Sequence, residues 1–176
     1  MKKRNGFTLV ELLAVIVVLA IIMIIAIPAV LEIMNNARKK TFSMAVDKYV
    51  TAVQQQYISD ANFGVIPGAG LYVYNIENNL GLTSTGDNKG YVVVNAYNVD
   101  NVKYFVFLHD NNYMITNYDV TTYKMPDKDN SSIQPYSSGA WSSAAANEYY
   151  ACISVDPAVQ SGTAQCLSPQ GYVITG

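Results

Sequence analysis

The sequence has little histidine and cysteine, two residue types that often carry catalysis. It contains one histidine and two cysteines in 176 residues. The histidine, His109, stands beside Asp110 in a predicted turn, and no sequence feature places a nucleophile against it. The chain also lacks a glycine-rich phosphate loop after a strand and the cysteine and histidine spacing of a zinc site. We therefore expect neither an enzyme nor a bound cofactor.

Positive charge is scarce in the larger part of the chain. From Thr41 onward, five lysines stand against eleven aspartates and glutamates, so this part is net negative by six. Proteins that bind nucleic acid neutralise phosphates with Lys and Arg. The composition therefore argues against nucleic acid as a partner.

Charge of either sign is absent from residues 12–31. About 20 apolar residues can cross a bilayer as a helix. Lys2, Lys3 and Arg4 precede the run and favour a cytoplasmic N-terminus. The run exceeds the roughly 7 to 15 residues of a secretory signal core, and an amphipathic pattern continues directly from it. We therefore expect the segment to be retained.

Glu11 is out of place at the head of this apolar run. A carboxylate at membrane depth is costly and usually marks a function. In a second interpretation, the carboxylate reaches the headgroup level and is solvated there. Position alone leaves both interpretations open.

Residues 6–13, Gly-Phe-Thr-Leu-Val-Glu-Leu-Leu, carry a more specific signal. With the basic residues 2–4 before them, they resemble the processing and assembly signal of type IV prepilins and the related pseudopilins. The pattern combines a basic leader, a Gly, an aromatic residue, a Glu four positions later and an uninterrupted apolar helix. Pro28 also fits it, and the resemblance covers about residues 2–38.

The resemblance implies how the chain is processed and assembled. A prepilin peptidase would cut between Gly6 and Phe7, and the new amino group of Phe7 would be N-methylated. Glu11 would then pair with the Phe7 amine of a neighbouring copy, with Pro28 as a further assembly residue. Both charges are costly inside a filament core unless they are paired, so the pair would penalise misplaced subunits. Removing the three leader charges would ease exit from the bilayer.

The pattern becomes amphipathic after Pro28. Apolar and aromatic residues recur at spacings of three and four, which marks one helical face. They are Phe42, Val46, Tyr49, Val53 and Tyr57. The helix is predicted to run from Phe7 to about Asp60, where a segment rich in Asn, Gly and Pro follows. Pro28 is expected to bend or loosen it.

Alternating apolar residues predict β-strands in the second part of the chain. They are residues 71–76, 91–99, 102–108 and 113–118. Residues 120–124 could form a further strand. Residues 109–112 predict a hairpin turn. The predicted fold class is α+β: a long N-terminal helix, its apolar half protruding, packed on a small antiparallel sheet.

The C-terminal part is predicted as a loop followed by short strands. Residues 125–143 are rich in Pro, Ser, Asn and Gly and indicate a surface loop, in which Trp141 either contacts the sheet or is exposed. Residues 148–155 and 172–175 are predicted strands. Residues 127–131 begin like a calcium loop, but the sixth and twelfth positions lack the expected Gly and Glu, so we expect no metal.

The two cysteines, Cys152 and Cys166, are close in sequence. An even number in a domain expected to be exported indicates one disulfide, with two buried free thiols as the alternative. The bridge would contribute about 3 kcal/mol by the chain-entropy estimate. A C-terminal loop bounded by a disulfide also resembles the layout common among pilins.

Four regions are predicted along the chain. They are a cleaved leader at 1–6, a transmembrane or filament-core helix at 7–31, its amphipathic continuation at 32–60 and a globular β-rich head at 61–176. The predicted function is the structural subunit of a type IV pilus, for adhesion, motility or DNA uptake. Its predicted partners are further copies, the prepilin peptidase, a membrane assembly platform and, before assembly, the lipid bilayer.

Three other functions are compatible with parts of the sequence. A pseudopilin of a type II secretion system and a minor pilin that acts as an adhesive binding module would share the N-terminal signal. A membrane-anchored secreted enzyme would leave Gly6, Phe7 and Glu11 unexplained. In the pilin interpretation, the precursor lies in the cell membrane and the filament extends outside the cell.

Overall fold

The computed structural model describes residues 8–66, 68–78, 80, 87–121 and 131–176. The leader, Gly6 and Phe7, residues 127–130 of the acidic segment and most of the further strand at 120–124 lie outside the described residues. The chain divides into two compact units. The first unit extends to Arg38, and the second unit is Lys39–Gly176.

Helix α1 spans Leu9–Asn62 and continues through Pro28. In the first unit its large apolar side chains are exposed, from 44% at Met34 to 81% at Leu9. A helix that is apolar all round is typical of a membrane span or of the core of a larger structure. This helix is long and apolar enough to cross a membrane.

The part of α1 in the second unit buries one face. All five side chains that the spacing predicted, from Phe42 to Tyr57, are buried, and Val50 joins them. The helix ends at Asn62, two residues beyond the predicted end. Gly64 follows with a φ of 67°, a left-handed conformation that favours glycine after a helix.

A six-stranded sheet packs on this face, in the order β5-β4-β3-β2-β1-β6. Its strands are β1 (Leu71–Asn75), β2 (Lys89–Asn95), β3 (Lys103–His109), β4 (Tyr113–Asp119), β5 (Gln134–Pro135) and β6 (Cys166–Leu167). Neighbouring strands are antiparallel except β1 and β6, which are parallel. The predictions of strands β1 to β4 are confirmed, with ends shifted by a few residues.

The predicted hairpin turn joins β3 to β4. The Asp110 carboxylate accepts hydrogen bonds from the backbone N–H groups of Asn112 and Tyr113, each at 2.6 Å. The Asp110 N–H donates to the Tyr113 carbonyl at 2.9 Å. Aspartate is favoured in such turns because its side chain bonds the backbone locally.

The sheet has two buried faces. Alternate residues, including Val92, Val94 and Val106, pack with the buried face of α1, as predicted. The opposite residues, including Val93 and Phe107, pack under two short helices. These are α2 (Ser138–Ala145) and α3 (Glu148–Val155). The second unit therefore has three layers, helix, sheet and helices.

Two predictions about this third layer are wrong. Residues 138–143 are helical rather than loop, and residues 148–155 form a helix rather than a strand. Asn147 starts α3, because its side chain accepts the N–H of Tyr150 at 3.0 Å. Of the predicted strand at 172–175, only Val173 forms a bridge, with Leu167.

The predicted disulfide is confirmed. Cys152 of α3 is bonded to Cys166 of β6, and both residues are fully buried. The bridge therefore links the helical layer to an edge strand of the sheet. Such a link stabilises a fold mainly by restricting the unfolded chain.

Candidate assembly site

Glu11 is held in the first turn of α1 by Thr8. The Thr8 N–H and the Thr8 hydroxyl both donate to Glu11 Oε2, each at 2.8 Å. The Glu11 N–H donates back to Thr8 Oγ1 at 3.3 Å. This reciprocal arrangement is a capping box, in which two side chains satisfy N–H groups that a helix start leaves without partners.

The capping box gives Glu11 a local role that neither sequence interpretation included. A carboxylate in the first turn also interacts favourably with the positive end of the helix dipole. The signal was present, since Thr8-Leu9-Val10-Glu11 has the Thr-x-x-Glu spacing of the motif. The charged residue at the head of the apolar run is therefore bound within its own chain.

An uncharged surface follows this capped start. The large apolar residues of the first unit after Glu11 are exposed around the helix, and Pro28 lies within this stretch. Glu32 is the first charged residue after it, and Arg38 begins a cluster of three basic residues. The basic side chains suit contact with anionic headgroups at the end of a membrane span.

The first 27 residues match the family model described as the prokaryotic N-terminal methylation motif. This motif is characteristic of type IV pilin and pseudopilin precursors. The chain carries the N-terminal signal of a type IV pilin-like precursor. No curated protein and no solved structure matches the chain. The motif suggests a structural protein, fits a membrane-anchored precursor and implies processing by a prepilin peptidase.

The predicted site residues fall into two groups. Gly6 and Phe7 lie outside the described residues, so their roles stay predictions. Glu11 and Pro28 both lie in α1. The residue brought to Glu11 within the described part of the chain is Thr8, which the sequence analysis did not single out.

Asp60, near the end of α1, is a second residue that the sequence analysis missed. It is 7% exposed, and its carboxylate accepts hydrogen bonds from the Tyr74 hydroxyl at 2.9 Å and from the Gln56 amide at 2.8 Å. Burial, together with the bond to Asp60, raises the pKa of Tyr74 well above its ordinary value of 10.0. The network fixes the end of α1 to β1 within the second unit.

The single histidine of the chain lies among aromatic rings. His109 ends β3, and its ring contacts those of Tyr136 and Trp141. Within the part of the chain that the structure describes, no group of three or more His, Cys, Asp and Glu side chains is arranged to hold a metal ion.

Proposed function

We propose that the chain is the structural subunit of a type IV pilus and polymerises through its N-terminal helix into an extracellular filament. The observation that carries this proposal is the methylation motif at residues 1–27, which continues into a helix whose large apolar side chains are exposed. Exposed apolar surface of this extent requires a partner. Lipid would cover it in the precursor, and other copies of the helix would cover it in the filament.

The free energy of burying apolar side chains favours a direct transfer of the helix from lipid to other copies, without passage through water. Moving a Leu or Ile side chain from water to an apolar environment contributes about 1.5–3 kcal/mol. A helix such as this one therefore does not leave the bilayer into water. Lipid tails are about as apolar as neighbouring helices, so a transfer from lipid into a bundle of copies is close to balanced. Specific contacts can then decide the register.

Glu11 supplies such a contact in the proposed filament. Cutting after Gly6 would expose the amine of Phe7, one residue before the N-cap Thr8. Inside a filament core, that amine would be expensive without an anionic partner. Glu11 of the neighbouring copy is the carboxylate at the matching end of the helix, and Thr8 holds it there. Pro28 would contribute through the local shape of the same helix.

A pseudopilin of a type II secretion system is the second candidate, because it would share the motif and the apolar helix. The buried disulfide at Cys152 and Cys166 and the β-rich second unit favour the pilin. A minor pilin acting as an adhesive module is a variant of the first candidate. In each case the protein is a structural or binding subunit rather than an enzyme.

The deciding experiment is a preparation of filaments sheared from the native host, studied by electron microscopy and mass spectrometry. We expect long filaments whose main component begins at N-methylated Phe7 and contains one disulfide. A processed chain that stays in the envelope without long filaments would support the pseudopilin instead. A main component that still carries residues 1–6 would contradict both.

A further inference from the structure

A cleft of about 170 Å³ opens in the second unit where three strand ends meet. Asn75 ends β1, Lys89 begins β2 and His109 ends β3, and antiparallel pairing brings these ends to the same edge of the sheet. Trp141 of α2 and Ala146, which caps the C-terminus of α2, also line the cleft. The assembly site uses none of these residues.

Polar groups along the cleft are held in a chain of contacts. The Asn75 amide nitrogen lies 3.4 Å from Glu148 Oε1, and the Asn75 amide oxygen accepts the N–H of Glu77 at 2.9 Å. The Glu77 carboxylate lies 3.9 Å from Lys89 Nζ. The orientation of the amide is therefore fixed before any ligand arrives, and such preorganisation lowers the cost of binding.

Aromatic residues also border the cleft and are fixed in place, although the apolar surface that they expose to it is small. The His109 ring stacks on Tyr136 at 4.6 Å and meets Trp141 edge-on at 4.3 Å between ring centroids. Trp141 is only 9% exposed, so its position is set by the core. Tyr91 also lines the cleft, and its neutral phenol is a potential hydrogen-bond donor; burial and nearby carboxylates raise the pKa of this group.

The lining defines the chemistry of a ligand. Glu77 and Lys89 compensate each other's charge, so the lining favours neither an anion nor a cation. Amide, carboxylate, ammonium and phenol groups together offer both donors and acceptors, which suits hydroxyl groups. The exposed wall is mainly polar, which suits a ligand that carries hydroxyl groups around its ring. The volume admits one six-membered ring.

We propose that this cleft binds a single neutral sugar ring, such as the terminal residue of a glycan. The ring's hydroxyls would meet Asn75 and Glu77. The inference goes beyond the pilus proposal and does not depend on it, because every lining residue belongs to the second unit.

Trp141 makes the proposal directly testable, because it is the one tryptophan of the chain and its emission reports from this cleft alone. The full chain would be solubilised in lauryldimethylamine oxide, which carries no sugar. It would then be titrated with glucose, galactose, N-acetylglucosamine and the anionic N-acetylneuraminate. We expect a saturable change for at least one neutral sugar, with a Kd on the order of millimolar, because one ring makes few contacts.

A matched pair of variants would locate the binding. Ala146 and Ala140 are both exposed, but only Ala146 lines the cleft. We expect Ala146→Phe to fill the cleft and weaken binding by about tenfold or more, whereas Ala140→Phe keeps the wild-type Kd. Glu77→Gln should weaken binding by about tenfold through loss of a charged hydrogen-bonding group. Circular dichroism would verify the fold of each variant.

Three results would overturn the proposal. One is the lack of a saturable response to all three neutral sugars by the wild-type chain. Another is unchanged binding by a correctly folded Ala146→Phe variant. The third is tighter binding of N-acetylneuraminate than of every neutral sugar. Filament yield from the same variants is a separate measurement, so failure of the sugar site and failure of the pilus proposal are distinguishable.

Discussion

The two units of the chain differ in how they cover most of their large apolar residues. In the second unit, large side chains such as Tyr49, Tyr74 and Phe107 are almost completely covered by the unit itself. In the first unit, large apolar residues such as Leu9 and Ile24 are largely exposed. The second unit therefore has its own core, whereas the first unit leaves its apolar surface exposed, and in our proposal lipid or other copies cover it. Substitutions in the two units should consequently show their effects in different assays.

The largest effect is expected at the predicted cleavage site. Gly6→Leu should leave nearly all of the chain as uncut precursor in the membrane, because a bulky residue would occupy a peptidase site that the resemblance predicts to accept Gly. The second unit should remain folded. Mass spectrometry of membrane fractions would measure the uncut fraction, with Asn5→Leu as the neighbouring control. Efficient removal of the leader from Gly6→Leu would place the cut elsewhere.

A substitution of Glu11 can separate its role in the helix cap from the role of its charge. Gln at this position still accepts the hydrogen bonds of a capping box but carries no charge. We expect Glu11→Gln to be processed normally and to lower filament yield by about tenfold or more, because a buried amine without its partner costs about 3–5 kcal/mol. Yield would be measured from sheared fractions, with Glu32→Gln as the control on the same helix. Wild-type yield from Glu11→Gln would refute the pairing.

Removal of the disulfide tests the stability of the second unit, which has its own core. Replacing both Cys152 and Cys166 by Ala should lower the free energy of unfolding of the second unit by about 2–4 kcal/mol. Insertion and leader removal should be unaffected. Urea unfolding followed by Trp141 emission measures the loss, with Ser161→Ala in the same loop as the control. A loss below that of the control would show that the bridge adds no stability.

Substitution of Tyr74 tests how the stability of the second unit depends on pH. Its folded pKa is raised, so the folded state keeps the proton that the unfolded chain releases above its ordinary value of 10.0. Stability should therefore fall as pH rises above about 10. Tyr74→Phe should cost about 1–3 kcal/mol at pH 8, since Asp60 loses a donor, and should reduce the alkaline loss.

The matched control for this change is Tyr172→Phe, because Tyr172 is exposed. Urea unfolding at pH 8 and pH 11 would measure both variants. An equal alkaline loss in Tyr74→Phe and in the wild type would mean that Tyr74 ionisation does not drive it.

The smallest effect is expected from the cap itself. Thr8→Val removes the hydroxyl that bonds Glu11 and should cost about 1 kcal/mol of helix stability. Hydrogen exchange at the first turn should then be about fivefold faster, while unfolding of the second unit is unchanged. Thr8→Ser keeps a hydroxyl and should exchange as the wild type does. Equal protection in all three chains would show that the cap is not formed in solution.

Strong periodic signals explain which parts of the fold could be predicted. The stripe from Phe42 to Tyr57 repeats over four turns, and Val92 and Val94 alternate within a strand, so local pattern and final burial agree. The face that packs on α1 follows directly from such patterns. Pairing of Cys152 with Cys166 required only that the domain be exported.

Short elements that depend on tertiary contacts could not be predicted in this way. Helix α3 contains Tyr149, Tyr150, Ile153 and Val155, residue types that favour strands, and its eight residues are too few to form a helix alone. Packing of its buried side against the sheet overrides that preference. The Asp60 network joins residues 14 positions apart on different elements, so periodicity does not reveal it. The capping box, by contrast, was legible in four consecutive residues.

The position of that cap has a consequence for maturation. It uses only Thr8 and Glu11, and the first backbone bond of α1 runs from the Leu12 N–H to the Thr8 carbonyl at 3.2 Å. All three residues follow the predicted cut, so removing the leader would break none of these bonds. Proteolysis would thus change the charge and the terminal amine of the chain while the helix keeps its start. With the predicted cut, cleavage of the leader and folding of the helix start would be independent steps.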